Sequence, residues 1–336
     1  MNTYRALVVR EQDEEFSKQI EEVPFDFLPE NEVLIKVSYA ALNYKDALSA
    51  SGHKGITRKF PHTPGVDASG IVEKSSSPEF SPGQEVIVTS FDLGMNTKGG
   101  FAEYISVPAG WVVPLPEGLT LKDAMIMGTA AFTAALALHK MEKSGQSPEM
   151  GELVVTGASG GVGSMAVAIL AKRGYRVIAS SGKQEHYAWL KGIGAKRCIS
   201  REEASDDSGK LLLSAQWAGG IDTVGGTTLT TLIKACGKEG SIAVCGLVGS
   251  HELETTVYPF ILNGVNILGV DSAETPIDLR KIIWHLLATT YRPDGLSEMC
   301  EVVSLDDIPS YMDEILGGET SGRIVAQIGK KKKDAH

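Results

Sequence analysis

Two rhythms of apolar and polar positions divide the chain. In the first third, short apolar or alternating runs rich in β-branched residues stand at Arg5–Val9 and Val33–Ala40. Pro24, Pro29 and Glu30-Asn31 punctuate them. Further runs cover Gly65–Val72, Gln84–Val88 and Phe101–Val107, separated by Pro82-Gly83 and Gly99-Gly100. Such runs, bounded by glycine and proline, predict strands, and many of them together predict a partly open, barrel-like β-domain. Asn43-Tyr44-Lys45-Asp46 opens a short helical stretch inside it.

The second rhythm starts after Pro114-Leu115-Pro116-Glu117-Gly118. Thr120 followed by Asp123 reads as a capping box, and a long helix to about His139 fits the pattern. Strands are predicted over 153–156, 176–180, 197–199, 221–224, 241–245 and 266–270, with helices between them. That alternation predicts an α/β domain with a parallel, doubly wound sheet, and its strands match the two halves of a Rossmann domain. After Ser272, Pro276–Thr289 and Asp306–Leu316 predict helices and Arg323–Ile328 a closing strand. This tail is too short to be a domain, so it is expected to return to the first one. The division is 1–120 with 273–336, against 121–272.

The most informative stretch lies at the start of the second rhythm. Leu153-Val154-Val155-Thr156 reads as a buried strand, Gly157-Ala158-Ser159-Gly160-Gly161-Val162-Gly163 as a turn, and Ser164–Arg173 as a helix. Strand, glycine turn and helix in that order form the dinucleotide-binding fingerprint. The glycines let the backbone approach a pyrophosphate, and amides at the helix start meet its negative charge. Gly160 and Gly163 fit the second and third glycines of that pattern, of which Ala158 and Gly161 make a variant.

Composition adds exclusions. The chain has 336 residues, 43% hydrophobic and 22% charged, which is ordinary for a globular protein of two domains. Its formal net charge of −10 disfavours nonspecific nucleic-acid binding. Lys330–Lys333 is a local exception and reads as a solvated tail. No signal peptide is visible, and Met125–Leu138 is too short and too rich in Ala and Thr to span a bilayer, so cytoplasmic residence is the default. Cys198, Cys236, Cys245 and Cys300 lack the spacing of a zinc knuckle and read as small apolar residues.

The cofactor can be narrowed. An NAD site places an acid about 20 residues past the glycines to hold the ribose hydroxyls. Here the second strand ends in Ala179-Ser180-Ser181-Gly182-Lys183, with a hydroxyl and a lysine in that place. These suit a 2′-phosphate, and Arg201 offers a second cation. The expectation is NADPH over NADH. Lys183 also reads as a solvated helix start, and Ser200 to Glu203 as a capping box.

With both halves read, the chain resembles the medium-chain dehydrogenases/reductases over nearly its whole length. The landmarks are Asn43 to Asp46, Pro64-Gly65-Val66-Asp67-Ala68-Ser69-Gly70, Gly83-Gln84-Glu85-Val86 and Gly128-Thr129-Ala130-Ala131-Phe132-Thr133-Ala134. Val257-Tyr258-Pro259-Phe260-Ile261-Leu262, Gly269-Val270-Asp271-Ser272 and Gly322-Arg323 are similar to the YhdH/YhfP subgroup, described as quinone oxidoreductase-like and as acryloyl-CoA reductases. The resemblance implies a GroES-like catalytic domain beside the Rossmann domain. The zinc enzymes of the family place a histidine and a glutamate where this chain has Val66 and Asp67. Their first zinc cysteine has no counterpart near Asn43, and their four-cysteine lobe is missing. Zinc needs several thiolate, imidazole or carboxylate donors converging on one point, so a reductase without zinc is expected.

The resemblance also implies site residues. It places Asn43, Tyr44 and Asp46 at the substrate cleft and brings Arg323 toward cofactor or substrate carbonyl. It gives cofactor contacts at Tyr44, Ser159, Gly160, Gly161, Val162, Ser181, Gly182, Lys183, Arg201, Leu247, Ile261 and Ser272. Plainer readings stand beside these: Asn43 and Asp46 as a helix cap, Tyr44 as packing, Arg323 as a surface ion pair. The segment before Arg323 departs from the subgroup, which leaves Gly318 only a backbone contact. The favoured reaction is NADPH-dependent reduction of an activated carbon–carbon double bond, with acryloyl-CoA as substrate. A quinone reductase and a non-catalytic NADPH-binding protein are the rivals. Lys54, Arg58 and Lys59 read as a solvated loop or as a patch for coenzyme A phosphates. An apolar edge strand near Ile267–Val270, together with the resemblance, implies a homodimer.

Overall fold

The computed structural model describes residues 3–328 of the chain. The lysine run at 330–333 lies outside the described residues. Two compact units are present: Met1–Thr129 with Ala273–Lys281 and Leu296–His336, and Ala130–Ser272 with Ile282–Gly295.

The first unit opens on a hairpin, Thr3–Gln12 paired antiparallel with Glu15–Pro24. Asp13 and Glu14 form its two-residue turn with φ of 52° and 66°, the left-handed geometry that matches strand twist in tight hairpins. A larger sheet runs in the order Cys300–Ser304, Arg323–Gln327, Val33–Leu42, Asp67–Ser75, Glu85–Thr89, Val112–Pro114, and Tyr104–Val107 also pairs with Val33–Leu42. Its core combines Leu7, Val33, Ile35, Leu42, Phe101 and Ile105 with Ile308, Met312 and Ile324 from the end of the chain. The end of the chain therefore contributes to the core of the β-rich unit. Each such apolar side chain contributes about 1.5–3 kcal/mol when fully buried.

The second unit is a six-stranded parallel sheet in the order Ala195–Ile199, Arg176–Ser180, Glu152–Val155, Trp217–Asp222, Cys236–Val244, Asn266–Gly269. The order reverses between Glu152–Val155 and Trp217–Asp222, which is where dinucleotides lie in this architecture.

The boundaries differ from the expected ones at two places, each with a physical cause. The helix Leu121–Lys143 is interrupted at Gly128 (φ 49°, ψ −157°), so its first turns join the β-rich unit. Residues 282–295 join the second unit. There Tyr291 donates to Glu142 at 2.5 Å, Lys172 pairs with Asp294 at 2.8 Å, and Trp284 lies 6.2 Å from Phe132. Leu121–Lys143 is also longer than expected, at 23 residues, and passes a length and composition test for a membrane span. Since 78% of its most apolar window is buried, it reads as a core helix.

Candidate functional site

In the first unit, Asn43 caps the helix Tyr44–Ala50. Asp46, three residues on, accepts the Asn43 backbone N–H and the Val66 N–H, both at 2.8 Å. Its carboxyl is fully buried. Burial pushes it up to about 7, with the charge of Asp67 adding to the shift and the backbone amides opposing it. The sign fixes a pH dependence. Stability that Asp46 lends is full below its ordinary value of 3.8 and is lost as pH rises through about 7. Between about pH 8 and about pH 5 the wild type should therefore gain stability relative to Asp46→Asn. Parallel denaturation midpoints across that range would contradict this placement of the carboxyl.

The Asn43 amide is engaged at both ends. It donates to the Ala41 carbonyl at 3.2 Å and to Asp67 at 2.9 Å, and it accepts from Arg323 at 3.2 Å. Asp67 accepts the Thr129 N–H at 2.8 Å and the Thr129 hydroxyl at 2.5 Å. Arg323 donates to the Ile126 and Leu42 carbonyls at 3.1 and 3.3 Å and lies 3.8 Å from Asp67. The Gly128 interruption belongs to this knot. A side chain there would start 2.5 Å from the Asp67 carboxylate, so only glycine lets Thr129 turn onto Asp67.

Asn43, Asp46 and Arg323 thus come together, and Asp67 and Thr129 join them. The capping reading of Asn43 and Asp46 describes their geometry. The surface-ion-pair reading of Arg323 does not, because this guanidinium is 3% exposed. Burial lowers its pKa while Asp67 and Asp46 raise it. Tyr44 stands apart. It is 43% exposed, at the first turn of the helix, and its hydroxyl has no partner among the described residues. Of the polar candidates in this unit it is the exposed one, whereas the second terminal nitrogen of Arg323 is buried without a hydrogen-bond partner among the described residues.

The second unit carries the fingerprint. Gly160 caps the helix Gly161–Lys172, whose first amides belong to Gly161, Val162 and Gly163. A Cβ on Gly163 would lie 2.2 Å from the Gly157 carbonyl, so the turn closes only around glycine. Ser159 and Ser181 share a hydroxyl contact of 2.9 Å, and the Lys183 N–H donates to Ser181 at 3.1 Å. The Arg201 guanidinium lies against Gly182, within 3.1 Å of where a Cβ would be. Ser200 and Glu203 do form a capping pair, at 2.7 and 3.2 Å, and this leaves the Arg201 side chain free to face Gly182. Ser181, Gly182, Lys183 and Arg201 therefore make one cluster at the end of the second strand. These donors and amides fit a dinucleotide with a 2′-phosphate. Thr133 donates to Ser272 at 2.8 Å, while Leu247 and Ile261 are exposed at 66% and 69%.

Among the described residues, no group of three or more His, Cys, Asp or Glu is arranged to hold a metal ion. The Asp67 carboxylate already accepts from Thr129 and Asn43.

Two family models match the chain: the alcohol dehydrogenase GroES-like domain over residues 29–117 and the zinc-binding dehydrogenase domain over residues 161–289. The chain belongs to the medium-chain dehydrogenase/reductase family and is an oxidoreductase of it. Within that family it falls in the subgroup of quinone oxidoreductases and acryloyl-CoA reductases. The Bacillus subtilis protein YhfP, assigned by its name provisionally to the quinone oxidoreductases, is 44% identical over 97% of this chain and 99% of its own. The acrylyl-CoA reductase AcuI of Ruegeria pomeroyi is 40% identical over 97% of this chain and 99% of its own. The yhdH oxidoreductase of Salmonella enterica, solved in complex with NADP, is 41% identical with a TM-score of 0.94, over 96% of this chain and 99% of that one.

Proposed function

We propose that this protein is an NADPH-dependent reductase of an activated carbon–carbon double bond, with acryloyl-CoA as its substrate and propionyl-CoA as its product. The observation that carries the cofactor half is the cluster of Ser181, Gly182, Lys183 and Arg201, with no acid in the place where NAD enzymes hold the ribose. Bound NADPH would supply a hydride for the β-carbon of the acryloyl group. The displaced electron pair would rest on the thioester oxygen as an enolate and return to bond a proton at the α-carbon. Tyr44 is the side chain we assign to that end of the reaction, since Asn43, Asp46 and Arg323 are held in their own knot. The acrylyl-CoA reductases among the relatives support the thioester. The name of YhfP supports a quinone as the second reading.

The deciding assay follows NADPH oxidation with acryloyl-CoA, a small quinone and a simple enone, with and without a chelator. Fast, chelator-insensitive turnover of the thioester is expected. Turnover of the quinone alone would move the assignment to the second reading. Sensitivity to chelator would overturn the argument from Asp67. Lys54, Arg58 and Lys59 are exposed on one loop, where Arg58 donates to the Lys54 carbonyl at 3.3 Å, and are proposed to meet the coenzyme A phosphates. We also propose a homodimer through the edge strand Asn266–Gly269, where Ile267 is 38% exposed. Sedimentation as a monomer at micromolar concentration would contradict it.

A further inference from the structure

We propose that Asp222 is a positioning residue for the cofactor, acting through Thr156 on the glycine turn. The inference rests on the NADPH reading above. Asp222 ends the strand Trp217–Asp222 and is completely buried. Among the described residues no cation pairs with it, and its carboxylate is satisfied by loop groups alone. One oxygen accepts the Thr156 hydroxyl at 2.7 Å and the other accepts the Gly225 N–H at 2.8 Å.

These bonds begin a short chain of fixings. The Thr156 hydroxyl accepts the Thr223 N–H at 3.0 Å, and the Thr223 hydroxyl donates back to the Thr156 carbonyl at 2.9 Å. The Thr223 hydroxyl oxygen fills the space beside Gly157, 2.3 Å from where a Cβ would be. From Asp222 the backbone carbonyl accepts the Cys245 N–H at 3.0 Å, and Val224 accepts the Gly249 N–H at 2.8 Å. Gly225 forms a bridge with Ser250. Three loops leave the carboxyl ends of three neighbouring strands here: the fingerprint turn, 223–225 and 245–250. Asp222 fastens the first two through its carboxylate and the third through its backbone carbonyl.

A buried carboxylate without a counter-charge is costly, and apolar residues would close this part of the core without that cost. The parallel ladder already fixes the strands. What the carboxylate adds is the placement of the loops, and the pyrophosphate-facing amides at Gly161 to Gly163 follow directly from one of them. Exceptions to the apolar-core rule of this kind are expected where function requires them.

Thr156→Val and Thr156→Ser separate positioning from packing, since valine keeps the shape and loses the hydroxyl while serine keeps the hydroxyl and loses the methyl. NADPH binding is measured by calorimetry, with KM and kcat from steady state and the unfolding midpoint of the free protein alongside. Thr156→Val and Asp222→Asn should weaken NADPH binding by about tenfold or more, and Thr156→Ser by less than about threefold, as loss of a charge-assisted hydrogen bond implies. The effect should fall on KM for NADPH more than on kcat. Binding within twofold of wild type in Thr156→Val, or binding in Thr156→Ser as weak as in Thr156→Val, overturns the proposal. If Asp222→Asn does not fold, the Thr156 pair still decides. Wild-type protein that binds no NADPH would instead remove the reading on which the proposal stands.

Discussion

Arg323→Met is expected to cost the protein about 3–5 kcal/mol of stability, the loss found when one partner of a buried ion pair is removed. The size follows from what is left behind. Arg323 is 3% exposed and Asp67 is fully buried beside it. Without the guanidinium the Leu42 and Ile126 carbonyls lose a donor, Asn43 loses the group its oxygen accepts, and Asp67 keeps its charge with only Asn43 and Thr129 to hold it. Methionine fills much of the volume and replaces none of this. Equilibrium unfolding in urea measures the loss. Asp67→Asn in the same background should restore part of it, because it removes the stranded charge, and the two changes should be strongly non-additive. A loss below about 1 kcal/mol would show that the pair is solvated in solution and that the knot is not a unit.

Replacing Lys183 and Arg201 together by alanine is expected to raise KM for NADPH by two or more orders of magnitude while leaving KM for NADH within about threefold, since each charge-assisted contact with a phosphate contributes about 1.5–3 kcal/mol. The Lys183 backbone N–H donates to the Ser181 hydroxyl and the Arg201 guanidinium lies against Gly182, so both residues stand at the end of one strand. NADH has no phosphate there for them to meet. Arg201 alone should carry the larger share, because its planar fork matches a phosphate and it rests on a flat backbone. Parallel loss for both cofactors would place these cations on the pyrophosphate or on the fold. No loss for either would leave them as solvated surface charges.

How far the sequence reveals all this depends on the range of the signal. The strand, turn and helix at 152–172 follow one another locally, and so the fingerprint is legible. Ile308, Met312 and Ile324 join the β-rich core while residues 282–295 of the same tail go to the second unit, a split that no local pattern marks. The strand Glu15–Pro24 escapes because half-exposed, polar residues such as Ser17, Lys18 and Gln19 fill it, and its identity comes from pairing with Thr3–Gln12. Cys300–Ser304 is short and half exposed, and it becomes a strand only beside Arg323–Gln327. The knot shows the same limit at a finer scale. Asn43 and Asp46 announce a cap because they stand three positions apart. Thr129 and Asp67 are 62 residues apart, and the one sign of their contact is a glycine inside an apolar helix. Arg323, for which a surface ion pair is the plainer reading beside a place at the cleft, is buried because neighbours far away in sequence, Leu42, Asn43, Asp67 and Ile126, surround it.

The most direct test of the central claim is the fate of the hydride. Acryloyl-CoA is turned over with NADPH deuterated at the hydride-bearing carbon, and the propionyl-CoA formed is examined by mass spectrometry and NMR. Deuterium at the β-carbon and a solvent proton at the α-carbon are the predicted result. Propionyl-CoA without deuterium at the β-carbon, or NADPH oxidised with no propionyl-CoA formed, would contradict it.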